Sequence, residues 1–425
     1  MTSPPRAEHP AELPLVLRRE PFGGLLFEPS TATCVEVDGE AYSTLRRCVD
    51  DGWQSVTDAE RALMDRLRAS IPSLGREVVS FHLPSERASR IPRYAHVRVL
   101  DAPTVVDLQI TRRCRSGCPH CYMSSSPEGD DMPYDRVREV LHAAGDLGVC
   151  QLAIGGGEPL LHPDFVRILY DARSFGVLPN LTTTGDGMTP ESLRAMAECC
   201  GAVALSLEGL RDDFDRRRRT GFALFEWTHR ALRDAGVATV LQVTLSVENL
   251  PALPAIVDYC VSCDGLYGVL FLAYKSMGRG AGYQTPLSRV PAAELFPLLR
   301  DAFLRISERC RVGYDCCLAP GVVGMDAAFG IDDPEMVEGC TAMRTSVGIT
   351  TDLDVVPCTF LSDHPLGTLR EQSLWDVWHG ERAAAFRERL DGQVEQRAEC
   401  RACPSRDSCL GGCPRWDLVR CRARL

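Results

Sequence analysis

The chain has 425 residues, of which 45% are hydrophobic, and a formal net charge of −11. This length predicts two or three globular domains, and the negative charge argues against general binding to the phosphate backbone of nucleic acids. No apolar run reaches the roughly 18 residues of a membrane span, and the first residues lack the basic and apolar regions of a signal peptide. We therefore expect a cytoplasmic protein with no membrane or nucleic-acid partner. Twenty cysteines in that compartment favour metal ligation over disulfides.

Residues 13–70 have the pattern of a small α+β unit. Two helical patterns, near residues 40–48 and 58–69, follow three short strand-like runs, and Thr57 or Asp58 is the N-cap of the second helix. The runs, which are separated by turns, cover residues 15–17, 25–27 and 34–37. A polar linker is then predicted from its prolines, Pro72, Pro84, Pro92 and Pro103. We place the first domain and its linker at residues 1–90.

From residue 104 onward, strand-like and helical segments alternate regularly. Strands are predicted at residues 104–110, 150–154, 178–183, 203–207, 239–246 and 267–274. Helices are predicted at residues 134–147, 162–175, 190–200, 224–235, 250–260 and 292–310. Such units predict parallel strands joined by right-handed helical crossovers. We expect an α/β fold over residues 100–310, a partial (β/α)6 TIM-like barrel with its chemistry at the C-terminal ends of the strands.

Three cysteines, Cys114, Cys118 and Cys121, follow the first predicted barrel strand with the spacing C-x3-C-x2-C. Three thiolates leave one iron of a 4Fe–4S cube open to an outside ligand, and thiolate-only sites suit such clusters. A structural zinc site is the alternative, because zinc takes four closed ligands and His120 offers a fourth. The spacing alone leaves both interpretations open.

The second strand ends in Gly155-Gly156-Gly157-Glu158-Pro159. Glycines let the backbone approach a ligand closely, and a carboxylate accepts a charge-assisted hydrogen bond from an ammonium group. Together with the cysteine triplet, this motif resembles the signature of the radical S-adenosylmethionine (SAM) family. The resemblance implies that SAM chelates the open iron, that Gly156, Gly157 and Glu158 hold its amino group, and that its reductive cleavage yields a 5′-deoxyadenosyl radical.

Two further segments are similar to SAM contacts of that family. Ser206-Leu207-Glu208-Gly209 looks like the SxDG-type segment that contacts the ribose, with Glu208 in place of the usual Asp. The stretch from Asp215 to Gly221 is similar to the family's D-x-x-R-G sequence, which implies that Arg218 or Arg219 holds the SAM carboxylate through its planar fork. A solvated arginine cluster is the alternative.

Lys275 is the only lysine of the chain and ends the sixth predicted strand. Because side chains at that end face the barrel mouth, we predict that Lys275 steers a carboxylate of the substrate or contacts SAM. A solvated lysine is the alternative, since lysine is seldom fully buried.

The tail of the chain contains a second set of cysteines, which resembles the seven-cysteine SPASM domain. These are Cys340, Cys358, Cys400, Cys403, Cys409, Cys413 and Cys421. The resemblance implies two auxiliary 4Fe–4S clusters, with Cys316 or Cys317 as the eighth ligand. The first cluster would use Cys316 or Cys317 with Cys340, Cys358 and Cys413, and the second Cys400, Cys403, Cys409 and Cys421. Leu353 departs from the family pattern, which has Gly there. Paired zinc ribbons are the alternative. We place this cysteine-rich SPASM domain at residues 311–425.

Residues 19–29 and the run at 34–37 are similar to PqqD-like leader-recognition domains of peptide maturases. Such domains capture a leader peptide by adding it to a sheet as an extra strand. A plain structural cap on the barrel is the alternative for this N-terminal unit.

The combined resemblances imply a radical SAM/SPASM enzyme with three 4Fe–4S clusters and SAM, reduced by a protein such as flavodoxin or ferredoxin. The expected substrate is a ribosomally made precursor peptide with a leader, cross-linked or otherwise oxidised at a side chain. One alternative is sulfatase-maturase-like oxidation of Ser or Cys, or dehydrogenation of a small molecule. Another is a non-catalytic iron–sulfur or zinc protein that carries electrons or serves as a scaffold. The Gly-Gly-Gly-Glu-Pro motif argues against the last, because a carrier needs no SAM site.

Overall fold

The computed structural model describes residues 13–51, 57–74, 79–80, 91–323, 338–415 and 417–421. The first residues of the chain and the part of the predicted linker around Pro84 lie outside this range. Among the described residues, no helix is long and apolar enough to cross a membrane.

The N-terminal unit is a four-stranded sheet with two helices, which confirms the predicted α+β pattern. Its strands are β1 (Leu15–Glu20), β2 (Gly23–Glu28), β3 (Thr33–Asp38) and β4 (Val79–Ser80), in the order β3-β2-β1-β4. Its helices are α1 (Gly39–Asp50) and α2 (Asp58–Arg68). Thr57 caps α2 by accepting from the Glu60 amide while the Glu60 side chain accepts from the Thr57 amide. This reciprocal pair satisfies two amides that the helix itself cannot.

The central sheet has ten strands, and its middle is the predicted series of six parallel strands. These are β5 (Val105–Thr111), β6 (Gln151–Gly156), β7 (Leu178–Thr183), β8 (Val203–Ser206), β9 (Thr239–Leu245) and β10 (Leu266–Ala273). The helices between and after them are α3 (Tyr134–Asp146), α4 (Phe165–Ser174), α5 (Pro190–Cys199), α6 (Asp212–Arg218), α7 (Phe222–Asp234), α8 (Leu253–Ser262) and α9 (Ala292–Ser307). In β9, Leu241, Val243 and Leu245 belong to the main core while the residues between them are only half-buried. The sequence pattern did not predict α6, whose charges hide any apolar periodicity.

The sheet continues beyond residue 310, where regular alternation of elements was expected to stop. β11 (Arg311–Tyr314) pairs with β10 in parallel, and β12 (Ser346–Ile349) pairs with β5 in parallel. β13 (Asp354–Val356) and β14 (Gly367–Thr368) extend that edge in antiparallel fashion. The short helix α10 (Ala319–Val322) follows β11, and the tail carries α11 (Leu374–Trp378), α12 (Glu381–Gln396), α13 (Ala398–Arg401) and α14 (Arg406–Cys409). The cysteine-rich tail is therefore built onto both edges of the barrel sheet.

The N-terminal unit docks at the base of the barrel, away from the C-terminal strand ends. Arg18 is fully buried and donates to the carbonyl oxygens of Ala102, Pro103 and Gly148, which precede β5 and β6. Its charge is balanced by Glu20, 2.7 Å away. A small apolar core surrounds this contact and comprises Leu13, Val16, Leu25, Phe27, Leu100, Cys150 and Leu178.

Candidate active site

The three cysteines of the triplet lie in one loop at the C-terminal end of β5. The Cys121 amide donates to the Cys118 carbonyl oxygen over 3.2 Å, and the Cys114 amide donates to the Ser126 carbonyl oxygen over 2.8 Å. The side chains of Cys114 and Cys118 are buried, and that burial raises the pKa of both thiols. Each of the two is close enough to Cys121 for their charges to interact. The loop thus gathers the three predicted ligands.

The donor set of this loop fits an iron–sulfur cube with one open iron. A zinc site would also need an imidazole nitrogen, at about 2.0–2.1 Å from the metal. Both ring nitrogens of His120 are buried without a hydrogen-bond partner among the described residues, and burial lowers the pKa of the ring to about 4. In the described part of the chain, no three His, Cys, Asp or Glu side chains converge as around a single metal ion. The three thiols by themselves suit a cube with one iron left open.

The glycine motif at the end of β6 is hydrogen-bonded to the cysteine loop. The Gly157 amide donates to the Thr111 carbonyl oxygen over 2.7 Å, and the Glu158 amide donates to the Arg113 carbonyl oxygen over 2.8 Å. Gly156 has a φ of +119°, and a Cβ there would lie 2.2 Å from the Thr111 carbonyl oxygen. A side chain is therefore excluded, and the two loops form one backbone surface.

The carboxylate of Glu158 is fully buried and bonded to the protein on both oxygens. Oε1 accepts from the Thr183 hydroxyl at 2.6 Å and the Leu160 amide at 3.2 Å, and Oε2 accepts from the hydroxyl and amide of Thr184 at 2.6 and 2.7 Å. These donors fill the roughly four acceptor positions of a carboxylate. The predicted carboxylate contact with the SAM amino group is therefore not preformed. Glu158 instead fixes the ends of β6 and β7 relative to each other.

Glu208 and Arg218 form a buried bidentate ion pair beside the cysteine loop. Burial alone would raise the pKa of Glu208, but the Arg218 guanidinium outweighs it and keeps the pKa below the usual value. The Cys118 thiol lies 3.2 Å from the Arg218 carbonyl oxygen, and Arg218 Nη1 lies 4.0 Å from Cys118 Sγ. Ser206, at the end of β8, is buried nearby. Arg219 is exposed with a φ of 60°, so Arg218 is the arginine that faces the loop.

Five cysteines gather where β11 and the tail meet. The Cys316 thiol is within hydrogen-bonding reach of Cys317 and Cys340, and the Cys317 thiol also reaches Cys413. Cys358 is close enough to Cys413 for their charges to interact, and burial raises the pKa of the Cys358 thiol to about 12. The two candidates for the eighth ligand, Cys316 and Cys317, both belong to this group.

The second tail group surrounds a single cavity. Cys400, Cys403, Cys409 and Cys421 line it, and Cys317 and Cys413 from the first group border the same cavity. Burial raises the pKa of the Cys400 and Cys409 thiols, and the neighbouring thiols of the group add to the effect.

Leu353, which stands where the family pattern has Gly, adopts a φ of 67°. The turn therefore keeps the backbone conformation that a glycine would take most readily.

Lys275 is buried rather than solvated, so the alternative of a solvated lysine is wrong, and the contact with a substrate carboxylate or SAM stays a prediction. Its side chain is 5% exposed and forms an ion pair with Asp315. Its Nζ lies 4.4 Å from the centroid of the Phe360 ring. Burial alone would lower the pKa of the ammonium group, but Asp315 and the Cys317 thiol raise it above the usual value. Lys275 therefore belongs to the surroundings of the first tail group.

Sequence reasoning missed several residues that surround the cysteines. Tyr122 follows Cys121 directly, and its ring packs against that of Phe360 with centroids 4.7 Å apart. Asp107 on β5 accepts from the Thr359 hydroxyl over 2.5 Å, and burial raises its pKa to about 6. Tyr122, Asp315 and Phe360 each lie one or two residues from a cysteine, and that position could have drawn attention to them. Asp107 gave a weaker signal, an acidic residue within an apolar strand.

Two family comparisons match the parts of the chain that carry these cysteines. Residues 108–260 match the radical SAM superfamily, and residues 340–404 match SPASM, an iron–sulfur cluster-binding domain. The fold and the site thus define an iron–sulfur enzyme built on a partial α/β barrel. The chain belongs to the radical SAM/SPASM family, whose members use 4Fe–4S clusters and SAM.

Curated relatives match most of the chain at modest identity. The PqqA peptide cyclase of Streptomyces rochei is 27% identical over 336 residues, which cover 76% of this chain and 85% of that protein. The mycofactocin maturase MftC of Mycobacterium tuberculosis is 28% identical over 322 residues, 74% of this chain and 79% of that protein.

Solved structures share the fold. Streptococcus suis SuiB bound to S-adenosylmethionine matches with a TM-score of 0.68 at 17% identity and covers 98% of this chain and 99% of its own. SuiB bound to the precursor peptide SuiA matches with a TM-score of 0.69 at 16% identity over 97% of this chain and 98% of its own. The structure of anSMEcpe with bound AdoMet has a TM-score of 0.57 at 17% identity and covers 76% of this chain and 90% of its own.

Proposed function

We propose that this enzyme uses a SAM-derived radical to modify a ribosomally made precursor peptide, by a cross-link or another side-chain oxidation. The observation that carries the proposal is the extent of the similarity to SuiB. The SuiB structures, one of them bound to its precursor peptide, cover 97–98% of this chain, whereas anSMEcpe covers 76%. The PqqA peptide cyclase and MftC, named for peptide and mycofactocin maturation, point to the same class of reaction.

The triplet Cys114, Cys118 and Cys121 holds the SAM-binding 4Fe–4S cluster in this proposal. The burial of Cys114 and Cys118 and the closeness of Cys121 to both support that role. When bound there, the cluster and SAM would supply a 5′-deoxyadenosyl radical able to take a hydrogen atom from the peptide. The backbone of Gly156 and Gly157 offers SAM a surface with no side chain in the way.

Three more residues support the bound SAM in this proposal. Ser206 and the Glu208–Arg218 pair border the same loop. Because Glu208 already occupies two donor sites of Arg218, the Nη1 side of the guanidinium is the one available to a SAM carboxylate. Glu158 acts indirectly by fixing the loop, and Arg219 has no part in the contact.

We assign the auxiliary clusters to the two tail groups of cysteines. The first uses Cys340, Cys358, Cys413 and either Cys316 or Cys317, and the second Cys400, Cys403, Cys409 and Cys421. The shared cavity between the groups supports two neighbouring clusters. A reductant protein such as flavodoxin or ferredoxin would deliver the electrons. The corresponding domains are residues 1–90, 100–310 and 311–425.

The N-terminal unit is proposed to bind the leader of the peptide at β3. Within the described residues, β3 pairs with β2 on one side and forms the edge of its sheet. The first four of its six residues alternate between half-buried and exposed. Val37, which follows them, packs into the core. A leader strand added at that edge would gain affinity from backbone hydrogen bonds.

Mass spectrometry of a peptide co-expressed with the enzyme tests this function. The peptide would be one encoded by a short reading frame beside the gene, and the control is the same peptide co-expressed with the enzyme in which Cys114, Cys118 and Cys121 are all changed to Ala. We expect the peptide to lose the mass of hydrogen at a side chain outside its leader, and to do so only with the active enzyme. An unmodified peptide, together with oxidation of a Ser or Cys in a sulfatase-like protein by the same enzyme, would replace this proposal with the alternative.

A further inference from the structure

A buried cation lies between the barrel mouth and the first tail group of cysteines. Lys275 follows the C-terminal end of β10, and its side chain is 5% exposed. Its charge interacts with the thiols of Cys316 and Cys317 and with that of Cys358. The only lysine of a chain with 47 basic residues is therefore placed where it is most costly to desolvate.

The Lys275 side chain is held in place by Asp315, the residue that precedes the cysteine pair. Asp315 also accepts from the Leu318 amide over 3.1 Å and from the Ala273 amide over 3.3 Å. Its carboxylate is thus anchored to β10 and to the turn that presents Cys316 and Cys317. One of the three ammonium donors is used by Asp315, and the ammonium nitrogen also lies over the Phe360 ring.

The same contacts connect the cation to the SAM-cluster loop. Phe360 comes two residues after Cys358, and its ring packs on Tyr122, which follows Cys121. Lys275, Phe360 and Tyr122 therefore form a continuous row of side chains between the two groups of cysteines. Lys275 is at the end of the row beside the first tail group. Its positive charge therefore lies close to where an electron coming from the barrel would arrive.

We propose that Lys275, oriented by Asp315, is a positioning residue that stabilises the reduced state of the first auxiliary cluster. This inference rests on the proposed function, which assigns that cluster to Cys340, Cys358, Cys413 and Cys316 or Cys317. Thiolate ligands give the cluster a negative charge, and reduction adds one more. A cation within a buried, low-dielectric shell favours that added charge, and such neighbouring groups are a known means of setting cluster potentials.

The electron balance of the proposed reaction gives this charge a role. One C–H bond of the peptide breaks as its hydrogen atom passes to the 5′-deoxyadenosyl radical. The resulting peptide radical would lose one electron to the first auxiliary cluster and one proton to solvent as the new bond forms. The second auxiliary cluster would pass that electron to an oxidised flavodoxin or ferredoxin. The first auxiliary cluster would accept that electron only if its reduction is favourable enough.

Redox titration followed by electron paramagnetic resonance tests the role of Lys275. The full-length chain with Cys114, Cys118 and Cys121 changed to Ala serves as the background, so that the signals come from the auxiliary clusters. We expect Lys275→Met to make reduction of one cluster about tenfold less favourable, a shift of about 59 mV to lower potential for one electron. Lys275→Arg should stay within threefold of the parent. The control Arg300→Met removes the same charge from an exposed position and should leave the potential unchanged.

Asp315→Asn is expected to shift the potential in the opposite direction. It also keeps the inference testable if the Lys275→Met protein does not hold its auxiliary cluster. Removing a negative charge while keeping the lysine should make reduction more favourable and raise the potential. Iron-loaded Lys275→Met or Asp315→Asn protein with an unchanged potential and spectrum would overturn the inference. A shifted potential in enzyme that modifies no peptide would uphold the inference and refute the peptide assignment. Absence of auxiliary-cluster iron from the parent would refute both.

Discussion

At the scale of single residues, Glu158 shows how a motif locates a site without defining the role of each side chain. The glycines beside it meet the cysteine loop through backbone hydrogen bonds, as the motif suggested. The Glu158 carboxylate, however, bonds to Thr183, Thr184 and Leu160. Only the packing of β6 against β7 brings those donors to it, and no spacing in the sequence reveals that contact.

Replacing Glu158 should weaken SAM binding through disorder of the loop. Glu158→Ala leaves buried donors on Thr183 and Thr184 unsatisfied, which costs about 1–3 kcal/mol per group. We expect a lower free energy of unfolding and a higher SAM dissociation constant, with the iron of the cluster retained. Equilibrium SAM binding and iron analysis of the reconstituted protein measure both effects. The conservative control is Thr184→Ser, which keeps the hydroxyl donor. Unchanged SAM affinity in Glu158→Ala would remove the residue from the site.

At the scale of elements, the six barrel strands and their helices were predictable because apolar periodicity and length determine them. β7 begins and ends at the predicted residues, and α5 ends one residue early. The short strands β11 to β14 were not predictable, because each has four residues or fewer and is stabilised by its sheet neighbours. Helix α6 was not predicted because all of its residues are charged except Phe214, which is its only buried residue.

The edge strand β3 offers a direct test of leader binding. Successive amides of a strand point to opposite edges, so one of the variants Val35→Pro and Glu36→Pro removes an amide facing the open edge. The other removes an amide facing β2 and is the matched control. We expect the first to raise the leader dissociation constant without lowering the melting temperature, and the second to lower the melting temperature. If both variants fold and bind the leader normally, the N-terminal unit is a cap.

A pH-dependent contact joins the segment before the barrel to the tail. The half-buried ring of His96 lies 2.7 Å from both Glu395 on α12 and Asp407 on α14, and Asp391 accepts from the amides around it. The hydrogen bond to Asp407 is the main cause that raises the pKa of His96 above its usual 6.5. Because the pKa of His96 is higher in the folded state, the protonated ring stabilises the fold. This stabilisation is complete below pH 6.5, the usual pKa, and is lost as the pH rises through the raised pKa.

Replacing the imidazole should therefore flatten the pH dependence of stability above neutral pH. We expect the free energy of unfolding of the wild type to fall with rising pH more steeply than that of His96→Gln. Urea unfolding at a series of pH values measures the difference, and His142→Gln, at an exposed position of α3, is the control. Parallel curves for the wild type and His96→Gln would show that His96 keeps its usual pKa.

At the scale of the whole molecule, the grouping of the cysteines could be predicted from their spacing, but the side chains that surround each group could not; the number of clusters stays a prediction. The triplet and the Cys400–Cys421 group are local in sequence, so these two groups can be recognised before folding. The neighbours that complete the first tail group, Lys275 from β10 and Asp315 from the turn after β11, come together only when both strands join one sheet. The same holds for the docking of Arg18 at the barrel base.

The iron content of the molecule tests the assignment of all three cysteine groups. Anaerobically reconstituted protein should hold close to three 4Fe–4S clusters, and the variant with Cys114, Cys118 and Cys121 changed to Ala should hold two. Thiolate ligands suit both iron–sulfur clusters and zinc, so metal analysis must cover both. Zinc in the tail without the brown colour of iron–sulfur clusters would contradict the SPASM assignment for the cysteines named here.

The central claim is that a radical made at the cysteine triplet removes hydrogen from a peptide, and isotope transfer tests it most directly. The reduced enzyme would be given SAM and the neighbouring peptide with deuterium at the side chain that is modified. We predict that 5′-deoxyadenosine gains deuterium in step with loss of hydrogen from the peptide, and that an undeuterated peptide gives none. Unlabelled 5′-deoxyadenosine formed beside an intact deuterated peptide would contradict the account.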